Sequence, residues 1–555
     1  MPMVGWYNPP QLIRTGTELI ISDLFARHSD SRRLDAVATD PPMVDYRDSK
    51  YLDEDGSFGF DFVADTGDGW NSTYAVASAL SKPGIALSDD STLKRGKVLV
   101  LGGDLVNPYP TREAYDARFV GPFTMAGQQH RSESLEVLAI PGNHDWYDSL
   151  VGFRRLFCNG RTVGHRRTRQ TRSYFAAQLP YDWWLFGIDS QLDHDVDELQ
   201  FRFFQDIIAN FRDNDRVMMV VHEPVWIIRA EMRDPRFPTR LENLEELIGD
   251  RLRLYVAGHL HHYRRHSNAK GQHRITCGTG GSFLHPTHEL SSDSIEEYEL
   301  KNSFPSKEQS WRSTLRNLWF VKRNPAFGIV TGLSYLLAAW QNGIHVGEQF
   351  GEVSLKEMGR LGLSEWAESV YAGVHSAVLN PIGLTLYGVI FAGFVFFADK
   401  RSAWFRYIVG TAHAFCHVVA GFLIYWFAAY ASITWAAFPA KSIEQYLLAG
   451  AIIVCLGWIA GSSILGIYLI VSLNVFKMHW NEAFSALRIQ DWKGFLRFRI
   501  APTGALRMSF VGLRKVPRRW VFDSTATTYE PEHPEKFKPE ELDRVEVGAA
   551  LNRGS

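Results

Sequence analysis

The sequence predicts an α/β fold for the first 300 residues and an all-α, four-helix transmembrane domain for much of the remainder. Two observations lead to this prediction. Short β-branched and aromatic runs alternate with amphipathic stretches in the first part, and charged residues become sparse after Arg323. The length of 555 residues also exceeds that of one ordinary domain.

Seven runs in the first part are predicted to be strands, because each is short, apolar or aromatic, and bounded by turn residues. They are GFDFVA (59–64), KVLVLGG (97–103), LEVLAI (135–140), WWLFGID (183–189), RVMMVV (216–221), LRLYVAG (252–258) and HRITCG (273–278). The stretches between them are predicted to form helices, which makes the domain a layered one.

Four apolar stretches in the second part are predicted to span a membrane: residues 326–346, 382–398, 407–438 and 446–476. Lysine and arginine concentrate in the segments 301–323, 399–406 and 477–520, which the positive-inside rule places in the cytoplasm. Segments 342–380 and 439–445 are predicted to face outward. The prediction is therefore a multi-pass membrane protein with its N-terminal domain and both termini in the cytoplasm.

These patterns divide the chain into five parts. They are an N-terminal extension (1–58), a soluble domain (59–300), a basic juxtamembrane segment (301–325), a transmembrane domain (326–476) and a basic cytoplasmic C-terminal segment (477–555). Residues 481–500 mix bulky apolar with basic residues, so this stretch lies on an anionic leaflet or belongs to a small globular appendage.

Composition excludes several classes of protein. A net charge of −2 gives no reason to expect a nucleic-acid partner. The four cysteines form no close pair, which argues against a disulfide framework. The first 20 residues lack the basic region and apolar core of a secretory signal, which also favours a cytoplasmic N-terminal domain. The sequence indicates no oligomeric state.

Clusters of Asp, Asn and His follow several predicted strands, where loops converge in layered α/β folds. They are Asp65 and Asp68 in DTGDG, Asp104 in GGD, Asn143 and His144 in GNHD, His222 in VHEP, and His259 and His261 in GHLH. These residues offer hard oxygen and imidazole ligands, a mixture suited to manganese, iron or zinc.

This ordered set resembles the calcineurin-like metallophosphoesterases over residues 59–286. The resemblance implies a layered β-sandwich flanked by helices, and a hydrolase that acts on phosphoester bonds with two divalent transition-metal ions. It implies that Asp104 bridges both ions and that His144 is the catalytic, non-ligand histidine. The implied ligand sets are Asp65, Asp104 and His261 for the first ion, and Asp104, Asn143, His222 and His259 for the second.

Two positions depart from the family pattern. Gly67 stands where many members have a histidine, and Asn107 stands where relatives have a tyrosine or an aspartate that orients the catalytic histidine. The partner of His144 is therefore open. Asp68 either completes the first metal site or holds its loop through backbone amides. His285 and the glycines just before it either close the site or form an ordinary turn.

The leading hypothesis is a membrane-anchored phosphoesterase that hydrolyses a phosphate mono- or diester with metal-activated water, with the lipid bilayer as its other partner. The alternative is a membrane sensor or transporter whose phosphoesterase-like domain binds metal or nucleotide without turnover. The retention of His144 favours catalysis. In the predicted span 407–438, His413 and His417 lie on one helix face with Cys416 beside them, which makes a metal or haem site conceivable. The preferred interpretation is that these polar side chains form helix-to-helix hydrogen bonds.

Overall fold

The computed structural model describes residues 1–14, 17, 43–87, 91–130, 134–190, 195–232, 239–289, 293–350, 375, 381–398 and 402–548. Most of the predicted outward segment 342–380, and residues 399–401 of the predicted cytoplasmic segment 399–406, lie outside these ranges. The chain divides into two compact units. Unit 1 comprises Met1–Val4, Thr17–Trp311 and Arg488–Ser555, and unit 2 comprises Gly5–Gly16 and Arg312–Leu487.

In the described part of unit 1, 17 of the 21 strands form two large sheets, and the other four form two separate pairs. The strands are β1 (Met43–Asp45), β2 (Phe58–Val63), β3 (Gly84–Ala86), β4 (Thr92–Lys94), β5 (Val98–Leu101), β6 (Leu135–Ala139), β7 (Thr162–Val163), β8 (Arg166–Thr168), β9 (Phe175–Leu179), β10 (Trp183–Gly187), β11 (Arg216–Val221), β12 (Leu252–Ala257), β13 (Tyr263–Ser267), β14 (His273–Cys277), β15 (Ser294–Ile295), β16 (Tyr298–Phe304), β17 (Lys493–Ile500), β18 (Leu506–Leu513), β19 (Trp520–Asp523), β20 (Thr528–Pro531) and β21 (Glu540–Val547). The seven predicted strands are confirmed as β2, β5, β6, β10, β11, β12 and β14.

One sheet has the strand order β1-β9-β10-β11-β12-β14-β13-β16-β15, and the other β21-β18-β17-β2-β5-β6-β8-β7. Side chains alternate along a strand, and the central strands β2, β5 and β6 of the second sheet are buried on both faces. Phe60 of β2 packs with Leu185 of β10 in a core shared by both sheets, whereas Leu99 of β5 packs with Tyr74 in a core beneath the helices. The predicted α/β layers are thus present as a sandwich with helices outside it.

The helices of unit 1 are α1 (Trp70–Ser81), α2 (Arg112–Ala114), α3 (Gly121–Gly127), α4 (Asn143–Trp146), α5 (Val151–Phe157), α6 (Glu198–Ile208), α7 (Val225–Met232), α8 (Thr239–Ile248) and α9 (Lys307–Thr314). A π-helical turn, Tyr115–Val120, joins α2 to α3. Helix α4 begins immediately after the glycine of GNHD, so Asn143 is its first residue.

The C-terminal part of the chain differs from the prediction of a separate segment at 477–555. Strand β17 pairs antiparallel with β2, and β18 and β21 extend the same sheet. Phe498 stacks on Phe60 with ring centroids 4.7 Å apart. The alternation in KGFLRFRI is that of a strand with two buried faces, but its pairing partner lies more than 400 residues earlier, which local sequence does not reveal.

Unit 2 is helical in its described residues. Its helices are α10 (Phe320–Arg323), α11 (Pro325–Phe350), α12 (Pro381–Phe397), α13 (Phe405–Trp435), α14 (Ile443–Phe476) and α15 (Trp480–Leu487), and α13 includes π-helical turns at both ends. All four predicted spans fall on helices. Within the described residues, α13 and α14 are the two helices long and apolar enough to cross a membrane, so length and composition support two of the four spans.

Small residues let α11 and α14 approach closely. Gly457 and Gly461 are one turn apart on α14, and a Cβ atom on either would press on Tyr335 or Thr331 of α11. This small-residue spacing is typical of helix pairs that pack in a membrane.

Candidate metal centre

The predicted ligands lie at the ends of parallel strands. Strand β2 pairs in parallel with β5, and β5 with β6, while β11 pairs in parallel with β12. The loops after these strands carry the polar residues. One ligand atom each from Asp104, His222 and His259 lie within 4.8 Å of one another, and these three residues can hold a metal ion.

Asp104 is the charge centre of this group. One carboxylate oxygen accepts a hydrogen bond from the His144 backbone N–H at 2.9 Å, and the other lies 3.3 Å from Nε2 of His222. Burial by itself would raise the pKa of Asp104, but the His222 and His144 imidazoles outweigh it and hold this pKa well below its usual range. Burial would lower the pKa of His222, but the Asp104 carboxylate raises it to about 10. The site therefore favours positive charge beside Asp104.

Three histidines are fixed by backbone carbonyls through the same ring atom. The Nδ1 atom of His222 lies 2.8 Å from the carbonyl oxygen of Gly102, and that of His261 lies 2.7 Å from the carbonyl oxygen of Phe283. The Nδ1 atom of His144 lies 2.8 Å from the carbonyl oxygen of Pro108. A carbonyl can only accept, so each Nδ1 carries the hydrogen and each Nε2 is left for the site. The partner that the sequence left open for His144 includes the Pro108 carbonyl.

Among the predicted ligands, two buried acceptor oxygens have no hydrogen-bond donor within the described residues, namely Oδ1 of Asp65 and Oδ1 of Asn143. Asp65 Oδ1 lies 3.4 Å from Nε2 of His261, and its other oxygen accepts from the His259 N–H at 2.8 Å. A buried, unsatisfied carboxylate oxygen is costly unless it binds a cation. These residues therefore fit divalent metal.

The backbone at the site is held in a sparsely populated conformation. Asp65, Asp104 and His259 all have positive φ, at 59°, 50° and 66°. Such left-handed residues concentrate at functional sites, where the surrounding structure offsets their strain. Gly142 has a different task, since a Cβ there would overlap the Asp104 carboxylate. The loop after β6 can approach Asp104 this closely only because residue 142 is a glycine.

The two departures from the family pattern have structural reasons. Gly67 has φ of 61°, and a Cβ atom there would overlap the backbone carbonyl of Leu105, so a histidine does not fit in this loop. The Asn107 side-chain amide donates to the Thr66 carbonyl at 3.3 Å and to Ser282 Oγ at 3.0 Å. Asn107 thus ties the first loop to the last one.

Asp68 holds its loop through backbone amides. One oxygen accepts from the Val4 N–H at 2.8 Å, and the other from the Phe283 N–H at 3.1 Å. Burial raises the pKa of Asp68, and the hydrogen bonds donated by the two backbone amides oppose that rise. Of the two roles left open by the sequence, this geometry favours loop support.

Replacing Asp68 by alanine should therefore destabilise unit 1 by about 1–3 kcal/mol, because two buried amides lose their acceptor. We expect the metal concentration for half-maximal occupancy to change less than twofold. Thermal unfolding and a manganese titration measure the two quantities separately. A tenfold weaker titration at unchanged stability would instead identify Asp68 as a ligand.

Asp145 and Lys493 support the region of the site and were not predicted from the sequence to belong to it. Asp145 accepts from the Gly142 N–H at 2.9 Å and from the Tyr115 hydroxyl, and so supports the loop after β6. Its signal was present, as the last letter of GNHD. His285, in the last loop that the sequence singled out, stacks on His261 with ring centroids 3.7 Å apart. Lys493 of β17 is fully buried, and burial lowers its pKa to about 7.

Comparison with known proteins agrees with this geometry. The family model for calcineurin-like phosphoesterases matches residues 58–263. A search of curated proteins gave no match.

Two solved structures are similar to parts of the chain. GAP50, the anchor in the inner membrane complex of Plasmodium, has 13% identity and a TM-score of 0.32, over 44% of this chain and 76% of that chain. A dimetal phosphatase from Danio rerio has 14% identity and a TM-score of 0.26, over 40% of this chain and 86% of that chain. Scores this low carry no argument about function.

Proposed function

We propose, from the calcineurin-like phosphoesterase domain at residues 58–263, that this protein is a membrane-anchored enzyme that hydrolyses a phosphate mono- or diester at a dinuclear metal site. The observation that carries the proposal is the convergence of Asp104, His222 and His259, together with the unsatisfied buried oxygens of Asp65 and Asn143.

The chain's residues offer two neighbouring positions for divalent ions. Asp104, Asn143, His222 and His259 would hold one, and Asp65, Asp104 and His261 the other. Bound there, manganese, iron or zinc would supply charge neutralisation for the phosphate and an activated water. The protein's part is to fix the ligands, which the carbonyl bonds to Nδ1 of His222 and His261 accomplish.

His144 has the geometry of a catalytic residue that does not bind metal. Its ring is partly exposed, its Nδ1 hydrogen is directed to Pro108, and its Nε2 lies 4.0 Å from an Asp104 oxygen. Nε2 is thus placed beside the metal positions yet open to a substrate. There it can stabilise charge on the phosphoryl group or pass a proton to the leaving oxygen.

The test is an assay of the purified full chain against phosphate monoesters, diesters, nucleotides and phospholipids, with manganese, iron or zinc. We expect hydrolysis that requires metal and stops after chelation. His144→Asn should lower the rate by about 10²–10⁴-fold and keep the bound metal, because this side chain is not a ligand. His533→Asn is the matched control, since His533 is exposed on the surface.

Metal content would separate the proposal from its alternative. Wild type and His144→Asn could both bind stoichiometric metal and yet hydrolyse none of the esters. That result would contradict the proposed hydrolysis and favour a sensor or transporter whose domain binds metal without turnover.

We propose further that all four helices α11 to α14 cross a membrane. Apolar side chains on each are more than half exposed, including Leu333, Val389, Phe415 and Val475. Such surface is stable only in an apolar solvent. Helix α13 also has an exposed tryptophan at each end, Trp404 and Trp435, as membrane helices do at the two interfaces.

Reporter fusions test this topology. Fusions after Ser402 and after Asn552 should report the cytoplasm, and fusions after Glu365 and after Ala440 should report the outside. If only α13 and α14 span, the fusion after Glu365 will report the cytoplasm, and the four-span proposal is wrong.

A further inference from the structure

We propose that unit 2 holds a neutral membrane lipid in a cavity between helices α11, α12 and α13: one hydrocarbon chain that carries a single hydrogen-bonding oxygen. The inference rests on the membrane part of the proposed function and is independent of phosphoesterase activity.

The cavity has a volume of about 260 Å³. Side chains from all three helices line it, among them Phe327 and Tyr335 of α11, Tyr387 and Phe394 of α12, and His417 and Phe422 of α13. Its volume is below the ~300–1,000 Å³ of sites for drug-sized ligands. It is larger than the ~150 Å³ apolar cavity that stays dry and takes up benzene. A chain segment or one small ring fits this space.

Among the described residues that line the wall there is no Asp, Glu, Lys or Arg. A charged phosphate headgroup would therefore be buried without a partner, which is costly in hydrocarbon. The hydroxyls of Thr331 and Ser334 already donate to carbonyls of their own helix, at 3.1 and 2.8 Å. The occupant must accordingly be uncharged and mostly apolar, and lipid chains surround these helices if they span a bilayer.

One polar pair is directed at the cavity. The Tyr335 hydroxyl lies 2.9 Å from Nδ1 of His417, and Nε2 of His417 lies 3.3 Å from Nε2 of His413. When His413 donates to His417, Nδ1 of His417 carries the hydrogen and donates to the tyrosine oxygen. The tyrosine hydrogen is then free to bond an oxygen in the cavity. The pair thus offers one donor to a hydroxyl or carbonyl oxygen.

Gly421 provides a way to fill the cavity. It lines the wall, and a Cβ atom there would meet only Tyr335, at 3.8 Å, so a leucine side chain would extend into the space. Gly388 of α12 is the matched control, because a Cβ there meets nothing within 4 Å and this residue is not part of the wall.

The experiment is photo-crosslinking of the full chain in lipid nanodiscs with three diazirine probes of equal chain length: a fatty alcohol, the methyl ester of the corresponding fatty acid and the plain alkane. We expect the alcohol or the ester to label peptides of α11 to α13 at least fivefold more than the alkane. Gly421→Leu should reduce this labelling at least fivefold, and Gly388→Leu should leave it unchanged.

A second variant tests the polar pair without filling the space. Tyr335→Phe should reduce labelling by the oxygen-bearing probes to the alkane level, whereas Tyr425→Phe, which removes a buried hydroxyl outside the wall, should not. Equal labelling by all three probes, or labelling that survives in both Gly421→Leu and Tyr335→Phe, would overturn the proposal. Extraction of the protein from membranes by alkaline carbonate would instead contradict the membrane anchor.

Discussion

Replacing Asp104 by alanine is expected to abolish stoichiometric metal binding and to lower phosphoesterase turnover by more than about 10³-fold. This carboxylate is shared by both proposed metal positions, and it is the group that the neighbouring His222 and His144 hold ionised. The loss of one shared ligand should therefore empty both positions. Metal analysis after dialysis and the ester assay measure the two effects.

Asp250→Ala is the control, because that carboxylate is exposed and pairs only with Lys270 at the surface. Activity that persists in Asp104→Ala, or in wild type after complete chelation, would show the two-metal proposal to be wrong.

Proton release gives a second readout of the same site. With the pKa of His222 near 10, this residue is protonated at neutral pH and must lose its proton before Nε2 can bind metal. The apparent metal affinity should consequently rise with pH up to about pH 10, by at most tenfold per unit for this proton. Calorimetry in buffers of different ionisation enthalpy should detect the released proton in wild type.

Replacing Arg497 by alanine is expected to destabilise unit 1 by about 3–5 kcal/mol, enough to prevent folding of a marginal domain. Arg497 lies on β17 and forms a fully buried ion pair with Asp61 of β2, at 2.8 Å. It also donates to the Leu93 and Leu80 carbonyls, at 3.0 and 3.3 Å. Without it, Asp61 remains as an unpaired charge between sheet and helices.

The matched control is Arg514→Ala, which breaks an exposed pair with Glu540 and should cost less than about 1 kcal/mol. The double variant Asp61→Leu, Arg497→Met should recover much of the stability, because it removes both charges. Unfolding by denaturant in detergent measures all three. Equal stability of Arg497→Ala and Arg514→Ala would contradict a supporting role for β17.

The geometry also changes how the family departures are understood. From the sequence, Gly67 and Asn107 look like lost functions at the first metal position. In the structure the loop has no space for a side chain at 67, and the Asn107 amide joins two loops. The His144 ring is held by the backbone carbonyl of Pro108. Every residue has a backbone carbonyl, so the sequence does not indicate which one accepts this hydrogen bond.

The sequence by itself determined seven of the strands and the polar residues at the ends of most of them, because an apolar run and the loop position of ligands are local properties. Thus β2, β5, β6, β11 and β12 were identifiable, and Asp104, His222 and His259 were identifiable as candidates. It also determined where the long apolar helices lie, since a run of uncharged residues is visible without any contact.

Only the tertiary structure decided that β17, β18 and β21 complete the sheet of the phosphoesterase domain. The pairing of β17 with β2 joins residues that are more than 400 positions apart, and the stability of that pairing comes from burial and from the Asp61–Arg497 ion pair. Neither is a property of a short stretch of chain. The same holds for the cavity beside Tyr335 and His417, which exists because three helices far apart in sequence pack around it.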